Sequence, residues 1–414
     1  MRRLPNTLPL LAALLAVLLA GPAASQSAVA RSQQRVATAQ QQGTQAQRGE
    51  PSVLKSDFVR KAGRRGLGFL YNMKFREAER AFSKISKRYP DHPVGPFLQG
   101  LTTWWRVLLD LTDTRHDERF HEQMKTVVER ANDLLDESPE SRDATFFKAA
   151  ALGFQGRLHS NRSEWWGAAN AARRALGPVL TLVERNPQNA DFAFGKGIYD
   201  YYTSLFAEEY PVAKPFMGLF PEGSKERGLK ALRRTAEDGW FIQTEANYFL
   251  LQIQYRYEES FAKSRERVEW LRREHPNNPF FHNFEGRVYA KWGRWKEARD
   301  IFDTVLARYY GGRTGYNDHM AEIALYYMGR SHLVYDEYRK ALGYFVDLER
   351  LTKSEEGGEE SFFRTLGRLR QGMVYDALGE RAAAKQRYRS VLKMQDHADA
   401  HARAERFLKE AYDG

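Results

Sequence analysis

Residues 279–310 read PFFHNFEGRVYAKWGRWKEARDIFDTVLARYY. Apolar residues recur at helical spacing on both sides of Gly293, which predicts two helices joined by a tight turn. Gly293 takes the turn, where a positive φ is cheapest for glycine. Gly286 falls where the two helices cross at close range, an approach that only a missing Cβ allows. Ala298 supplies the matching small residue on the second helix. Phe302 is the large residue expected to pack between neighbouring units.

Gly286, Tyr289, Gly293, Trp295, Ala298 and Phe302 stand at the offsets of the tetratricopeptide (TPR) pattern W-x2-L-G-x2-Y…A-x3-F…P, and the stretch resembles one TPR unit. The phase recurs in Gly329, Asp336, Tyr338, Ala341 and Phe345. It recurs again in Gly372, Tyr375, Gly379, Ala384 and Tyr388, and near the start in Gly66, Phe75, Ala78, Phe82 and Pro90. Weaker copies use Gly197 after Pro187, Phe261 with Pro276, and Gly100 after Pro90. The helix that partners the Gly100 helix, about 117–135, is longer than the standard unit. The stretch 142–185 fits two further helices without matching the signature. The clearest repeats are thus about 59–92, 279–312, 322–355 and 365–398, with a C-terminal cap helix at about 399–412. The resemblance implies an all-α fold, a TPR-like α-solenoid of stacked antiparallel helix pairs over 53–414, since no single pair buries its apolar face alone.

The rhythm breaks between Asp191 and Trp240. DFAFGKGIYDYYTSLF predicts a helix with an aromatic face of Phe194, Ile198, Tyr201, Tyr202 and Phe206. Pro211, Pro215 and Pro221 then prevent one long helix, which marks an irregular Pro-rich insert at about 206–224. Ser224 is placed to cap the next helix, which runs to about Asp238. The insert either lines a ligand groove or covers apolar faces at an irregular junction. An aromatic YYTSLF-like helix end, a Pro-rich apolar hairpin, a G-x-x-x-L-x-x-A helix and then TPR-like units are together similar to the eukaryotic inclusion-body clearance family of TPR-like proteins. That similarity covers about Asp191 to Phe302 and implies architecture only.

The N-terminus reads as an address. Arg2 and Arg3 precede an apolar run from Leu10 to Ala20, followed by Ala23-Ala24-Ser25. This is the pattern of a secretory signal peptide over 1–25, too short to span a bilayer comfortably. No cysteine follows the run, which excludes lipid attachment there. Residues 26–52 are rich in Gln, Ala and Ser and predict a disordered tether, because they cannot bury enough surface to offset ordering entropy. The chain has 414 residues and no cysteine, so packing alone must hold it, and thiol chemistry and cysteine-based metal sites are excluded. The formal charge is +11, two of which leave with Arg2 and Arg3, and the excess is spread along the chain. It favours acidic partners or anionic surfaces, and no nucleic-acid motif accompanies it.

No catalytic constellation stands out: there is no G-x-S-x-G elbow and no phosphate loop, and no cofactor is implied. Paired carboxylates such as Glu258-Glu259 and Glu355-Glu356 sit in polar turns. His397 and His401 are four apart and would share a face of the last helix, a spacing compatible with metal binding but lacking a third ligand. Binding geometry is more informative. In a TPR stack the first helix of each unit lines the concave face. The inward positions select Phe249, Ile253, Arg256 and Tyr257, then Phe280, Asn283, Arg287 and Lys291, then Tyr326 and Arg330. Phe194, Ile198, Tyr201 and Tyr202 belong to an earlier unit. Arginines can grip carboxylates bidentately and Asn can bond a peptide backbone. The expectation is an exported, non-catalytic scaffold of bacterial type, periplasmic or outer-membrane-associated. It would bind a protein or peptide, with an acidic ligand favoured by the positive charge, in envelope assembly or transport. The alternative is an all-α enzyme or binding protein acting on an anionic or carbohydrate polymer, with acidic residues converging beside Tyr201, Tyr202 and Trp240.

Overall fold

The structure is a computed structural model that describes residues 52–210, 221–352 and 361–413. The expected signal peptide, nearly all of the expected tether, residues 211–220 of the insert and Glu355-Glu356 lie outside the described residues. The chain falls into two compact units, one ending at Ile253 and the other beginning at Gln254.

Among the described residues the regular elements are helices. In the first unit, a 3-10 turn at Val53–Lys55 precedes α1 (Asp57–Tyr71), α2 (Phe75–Arg88), α3 (Val94–Leu109), α4 (Asp117–Glu137), α5 (Arg142–Asn161), α6 (Trp165–Arg185), α7 (Ala193–Glu209) and α8 (Lys225–Asp238). The unit boundary falls inside α9 (Gln243–Arg256). The second unit continues with α10 (Phe261–Glu274), α11 (Pro279–Lys291), α12 (Trp295–Tyr310), α13 (Asp318–Val334), α14 (Tyr338–Leu351), α15 (Phe362–Ala377), α16 (Arg381–Val391) and α17 (Ala400–Lys409). Successive helices pack as antiparallel pairs, and the first helices of neighbouring pairs also touch: α11 with α13, α13 with α15, and α15 with α17. This is an all-α, TPR-like fold.

One turn explains the pairing. In α1–α2, α5–α6, α11–α12, α13–α14 and α15–α16 the backbone enters the left-handed region at Met73, Ser163, Gly293, Asp336 and Gly379. Each time the next N–H bonds to the carbonyl five residues back, as from Arg294 to Tyr289 at 2.9 Å and from Glu380 to Tyr375 at 2.8 Å. This is the Schellman closure, which satisfies a carbonyl left over at the helix end while reversing the chain. The helix starts are capped locally. Ser141, Ser224, Asn278 and Asn317 each accept from a backbone N–H three residues on. Ser224 thus begins a helix ending at Asp238.

The crossing is also shared. A Cβ on Gly66, Gly286, Gly329 or Gly372 would fall 2.3–2.6 Å from the ring of Phe82, Phe302, Phe345 or Tyr388. Each ring is sixteen residues downstream, on the second helix of the same pair. Phe302 therefore packs first inside its own pair, and it also stacks on Tyr327 of the next pair at 5.1 Å. In the long α3–α4 pair the ring is replaced by the Met124 methyl over Gly100.

Two details depart from the sequence reading. The last helix begins at Ala400, after a left-handed Asp399. His397 consequently lies off that helix, its ring edge-on to Phe362, while His401 Nε2 bonds Met394 O at 2.8 Å. The two histidines do not share a helical face.

Candidate functional site

In the second unit, the first helices present a strip of arginines interleaved with tyrosines. On α11, the Arg287 guanidinium lies 5.1 Å from the Phe284 ring centroid and 5.6 Å from that of Tyr255. On α13, Arg330 lies over Trp295, Tyr326 and Tyr327 at 5.1, 5.7 and 5.5 Å. Such stacking holds a guanidinium flat while leaving its edge N–H groups for a ligand. Tyr327 joins the two arginines, because Arg287 also reaches its hydroxyl.

The strip continues past the residues that the repeat pattern selects. Arg370 on α15 reaches the Tyr326 hydroxyl, and Arg403 on α17 adds its charge there. Burial raises the Tyr326 phenol, but the charges of Arg370 and Arg330 outweigh it and hold the phenol below its ordinary value. Burial and the neighbouring Arg370 charge pull Arg403 below the usual arginine range. Among the described residues, none of Arg287, Arg330, Arg370 and Arg403 makes an ion pair with a carboxylate, and Nε of Arg287 and of Arg370 is buried without a hydrogen bond. Most arginines elsewhere in this unit are paired: Arg272 with Glu285, Arg299 with Glu337, Arg368 with Glu349 and Arg381 with Asp376.

The other expected site residues of this unit sit differently. Lys291 is held by Glu259 at 3.0 Å and by the Tyr255 carbonyl at 2.6 Å. Asn283 is 2% exposed, and its amide faces Pro279 O and Met320 Sδ inside the stack. Arg256 is exposed at the end of α9, and Tyr326 is buried at the centre of the strip. The repeat frame missed Arg370 and Arg403. Arg370 lies two residues before Gly372, and the helix carrying Arg403 is a cap outside the repeat.

In the first unit, Phe194 and Tyr202 line a largely apolar cavity of about 280 Å³, with Phe97, Phe146, Leu176 and Phe241. Tyr201 does not line it. It is fully buried where α7 crosses α8, and a Cβ on Gly228 would meet its backbone N at 2.6 Å. Two carboxylates border the cavity. Asp191 is committed to structure, accepting from the N–H groups of Trp240, Phe241 and Ile242 at 3.3, 3.1 and 3.0 Å. Glu245 is 4% exposed and lies 3.9 Å from Arg157. Trp240 borders a separate polar cleft with Arg60 and Asp238. Among the described residues the carboxylates that border the cavity are Glu245 and the structural Asp191, while Asp238 borders the cleft beside Trp240 and Asp200, next to Tyr201, is paired with Lys196.

Among the described residues no group of three or more His, Asp or Glu side chains is placed to hold a metal ion, and no helix is long and apolar enough to cross a membrane.

Residues 367–400, which span most of α15 and all of α16, match the tetratricopeptide-repeat family profile. No curated protein matches the sequence. Among solved structures, the chain is similar to yeast Tom70 at 10% identity and TM-score 0.40, covering 77% of this chain and 63% of that one. It is similar to a chain of the APC/C hetero-tetramer Cut9-Hcn1 at 15% identity and TM-score 0.39, covering 80% and 59%. It is also similar to a human IFIT1 dimer with PPP-AAAA at 12% identity and TM-score 0.39, covering 86% and 77%. The chain thus spans about three fifths of the length of the first two.

Proposed function

We propose that this chain, which belongs to the tetratricopeptide-repeat superfamily, is an exported, non-catalytic scaffold that binds an acidic protein segment along the Arg287–Tyr327–Arg330–Tyr326–Arg370–Arg403 strip. A TPR-like scaffold is compatible with protein binding, since its stacked first helices offer an extended surface. The observation that carries the reading is the absence, among the described residues, of any carboxylate partner for four arginines crowded along one run of tyrosines. Their mutual repulsion in a partly buried site is relieved when a partner supplies carboxylates. Guanidinium groups held flat by tyrosine rings lose little freedom on binding, and each can take a carboxylate bidentately.

Export rests on the N-terminal pattern of Arg2-Arg3, the apolar run and the small residues before Gln26. It gives the scaffold a periplasmic or outer-membrane setting, with envelope assembly or transport as the process. The scattered positive charge allows contact with an anionic membrane surface.

The test is fluorescence anisotropy of a labelled Glu-rich peptide titrated with the full chain, beside a charge-neutral peptide of equal length and an Arg330→Ala/Arg370→Ala variant that keeps its helical circular dichroism. Binding of the acidic peptide alone, weakened in the variant, supports the reading. Equal binding of both peptides, or an unchanged affinity in the variant, removes it.

A further inference from the structure

The apolar cavity of the first unit contains a polar end that its own fold leaves incomplete. Arg157, from α5, is stacked among three rings, with its guanidinium 4.8 Å from Trp104, 5.2 Å from Tyr248 and 4.9 Å from Phe249. It donates to the Tyr248 hydroxyl at 3.0 Å and stands 3.9 Å from Glu245, beyond hydrogen-bond distance. Its Nη1 is buried without a hydrogen-bond partner, and so are both carboxylate oxygens of Glu245. The Trp105 indole N–H is in reach of the same carboxylate and helps to hold it ionised, against burial, which raises it; Tyr71 lies beside it. Arg157 and Glu245 both border the cavity, whose remaining wall is mostly Phe, Ala, Leu and Val.

Buried polar groups are nearly always satisfied, and an orphaned carboxylate in an apolar enclosure is costly. Two acceptor oxygens and one donor facing an apolar space call for a ligand that brings a hydroxyl and fills the rest with hydrocarbon. The charge balance selects the head group. Burial raises the Glu245 carboxyl and the Arg157 charge 3.9 Å away opposes that rise, so a carboxylate ligand would compete with Glu245 for Arg157 and an ammonium would compete with Arg157 for Glu245. A neutral hydroxyl donates to Glu245, accepts from Arg157 and adds no charge.

We propose that this cavity is a binding site for an apolar molecule ending in a neutral hydroxyl, such as a long-chain alcohol or a monoacylated glycerol, with the hydroxyl held between Glu245 and Arg157. The site is separate from the arginine strip, and neither reading depends on the other. Gly153 is exposed and borders the cavity, and a Cβ there meets nothing within 4 Å, so a large side chain at this position has room to reach into the cavity.

The experiment is isothermal titration of the full chain with 1-decanol, decane, decanoate and decylamine, below their aggregation limits. Binding of 1-decanol about tenfold tighter than each of the other three is expected, because a site built for a hydroxyl discriminates strongly against analogues lacking it. Gly153→Phe should abolish binding. Glu245→Gln, which keeps one acceptor oxygen but loses the charge, should keep decane binding and reduce the preference for the alcohol. It alters neither the shape of the cavity nor its entrance, so it decides the matter if Gly153→Phe does not fold. No binding of 1-decanol, equal binding of decane and 1-decanol, a preference for either charged ligand, or a preference unchanged in Glu245→Gln would overturn the proposal.

Discussion

The ring of Phe302 lies so close over Gly286 that a Cβ added there would sit 2.5 Å from the ring Cζ. The contact locks α11 to α12 at a fixed crossing, and Phe302 carries the register onward by stacking on Tyr327. Gly286→Ala is therefore expected to overpack the crossing. The loss should be about 1–3 kcal/mol, part of it offset by the higher helix propensity of alanine. Urea unfolding measures it, and Phe302→Leu in the alanine background should recover part of the loss. A Gly286→Ala chain as stable as wild type would show that the crossing relaxes freely.

The five Schellman turns make opposite predictions at two positions. Ser163 adopts φ 60 without being glycine, whereas Gly293 adopts φ 74. Ser163→Gly removes left-handed strain and should stabilise by about 0.5 kcal/mol, the gain being reduced by the extra freedom of glycine in the unfolded chain. Gly293→Ala should destabilise by about 1–2 kcal/mol. Paired denaturation curves for the two variants test the sign of each effect.

Asp191 fixes the start of α9 by accepting three backbone N–H groups. Burial raises its carboxyl, against these bonds and the Arg60 charge, which favour the ionised form. Asp191→Ala leaves three donors short of a partner and should lower the stability of the first unit by about 2–3 kcal/mol. Asp191→Asn, which keeps an acceptor oxygen, should lose less. Hydrogen exchange at Phe241 and Ile242 should quicken in both, and more in the alanine variant.

Acid sensitivity of the second unit follows from two buried imidazoles. Burial, aided by the Arg272 and Arg308 charges, lowers His282 to about 2, and burial lowers His275 to about 3. The unfolded chain takes up these protons near pH 6.5, well before the folded chain does. Their contribution is complete above about pH 6.5 and is lost as the pH falls from there towards 3, at about 1.4 kcal/mol per pH unit for each group. His282→Asn loses the 2.9 Å bond to the Tyr316 hydroxyl and should be less stable at pH 7. Its stability should nevertheless fall less steeply than that of wild type between pH 6 and 4. Parallel slopes in the two chains would show that His282 does not remain neutral.

Binding at the arginine strip should be salt-dependent. Acidic-peptide affinity is expected to drop between 50 and 300 mM salt, as screening weakens contacts at the exposed edges. Arg330→Ala or Arg370→Ala should reduce the affinity about tenfold and flatten the salt response. Lys291→Ala should change it little, because Lys291 is already held by Glu259.

The repeat units were legible because each is specified locally. A glycine at the crossing, a ring sixteen residues on and a left-handed residue at the turn lie within one stretch of chain, so Gly286, Gly293 and Phe302 declare the unit without reference to distant residues. The α5–α6 pair was harder to recognise, since its turn uses Ser163 and its tightest glycine contact pairs Gly167 with the His159 ring. His397 was misplaced because the left-handed Asp399 starts the last helix later than the spacing suggests.

The sequence by itself determined the all-α class, the pairing of helices and the position of the first-helix arginines Arg287 and Arg330, because these depend on interactions a few residues to one turn-and-helix apart. Tertiary structure alone decided which charges remain unpaired. Lys291 and Arg287 are four residues apart on one helix, yet one meets Glu259 and the other meets tyrosine and phenylalanine rings and the Tyr327 hydroxyl. Tertiary structure also brought Arg157, on α5, to Glu245, on α9, at the edge of an apolar cavity. Ion pairing and enclosure depend on which side chains other helices deliver to the same place, and no local pattern in the chain encodes that meeting.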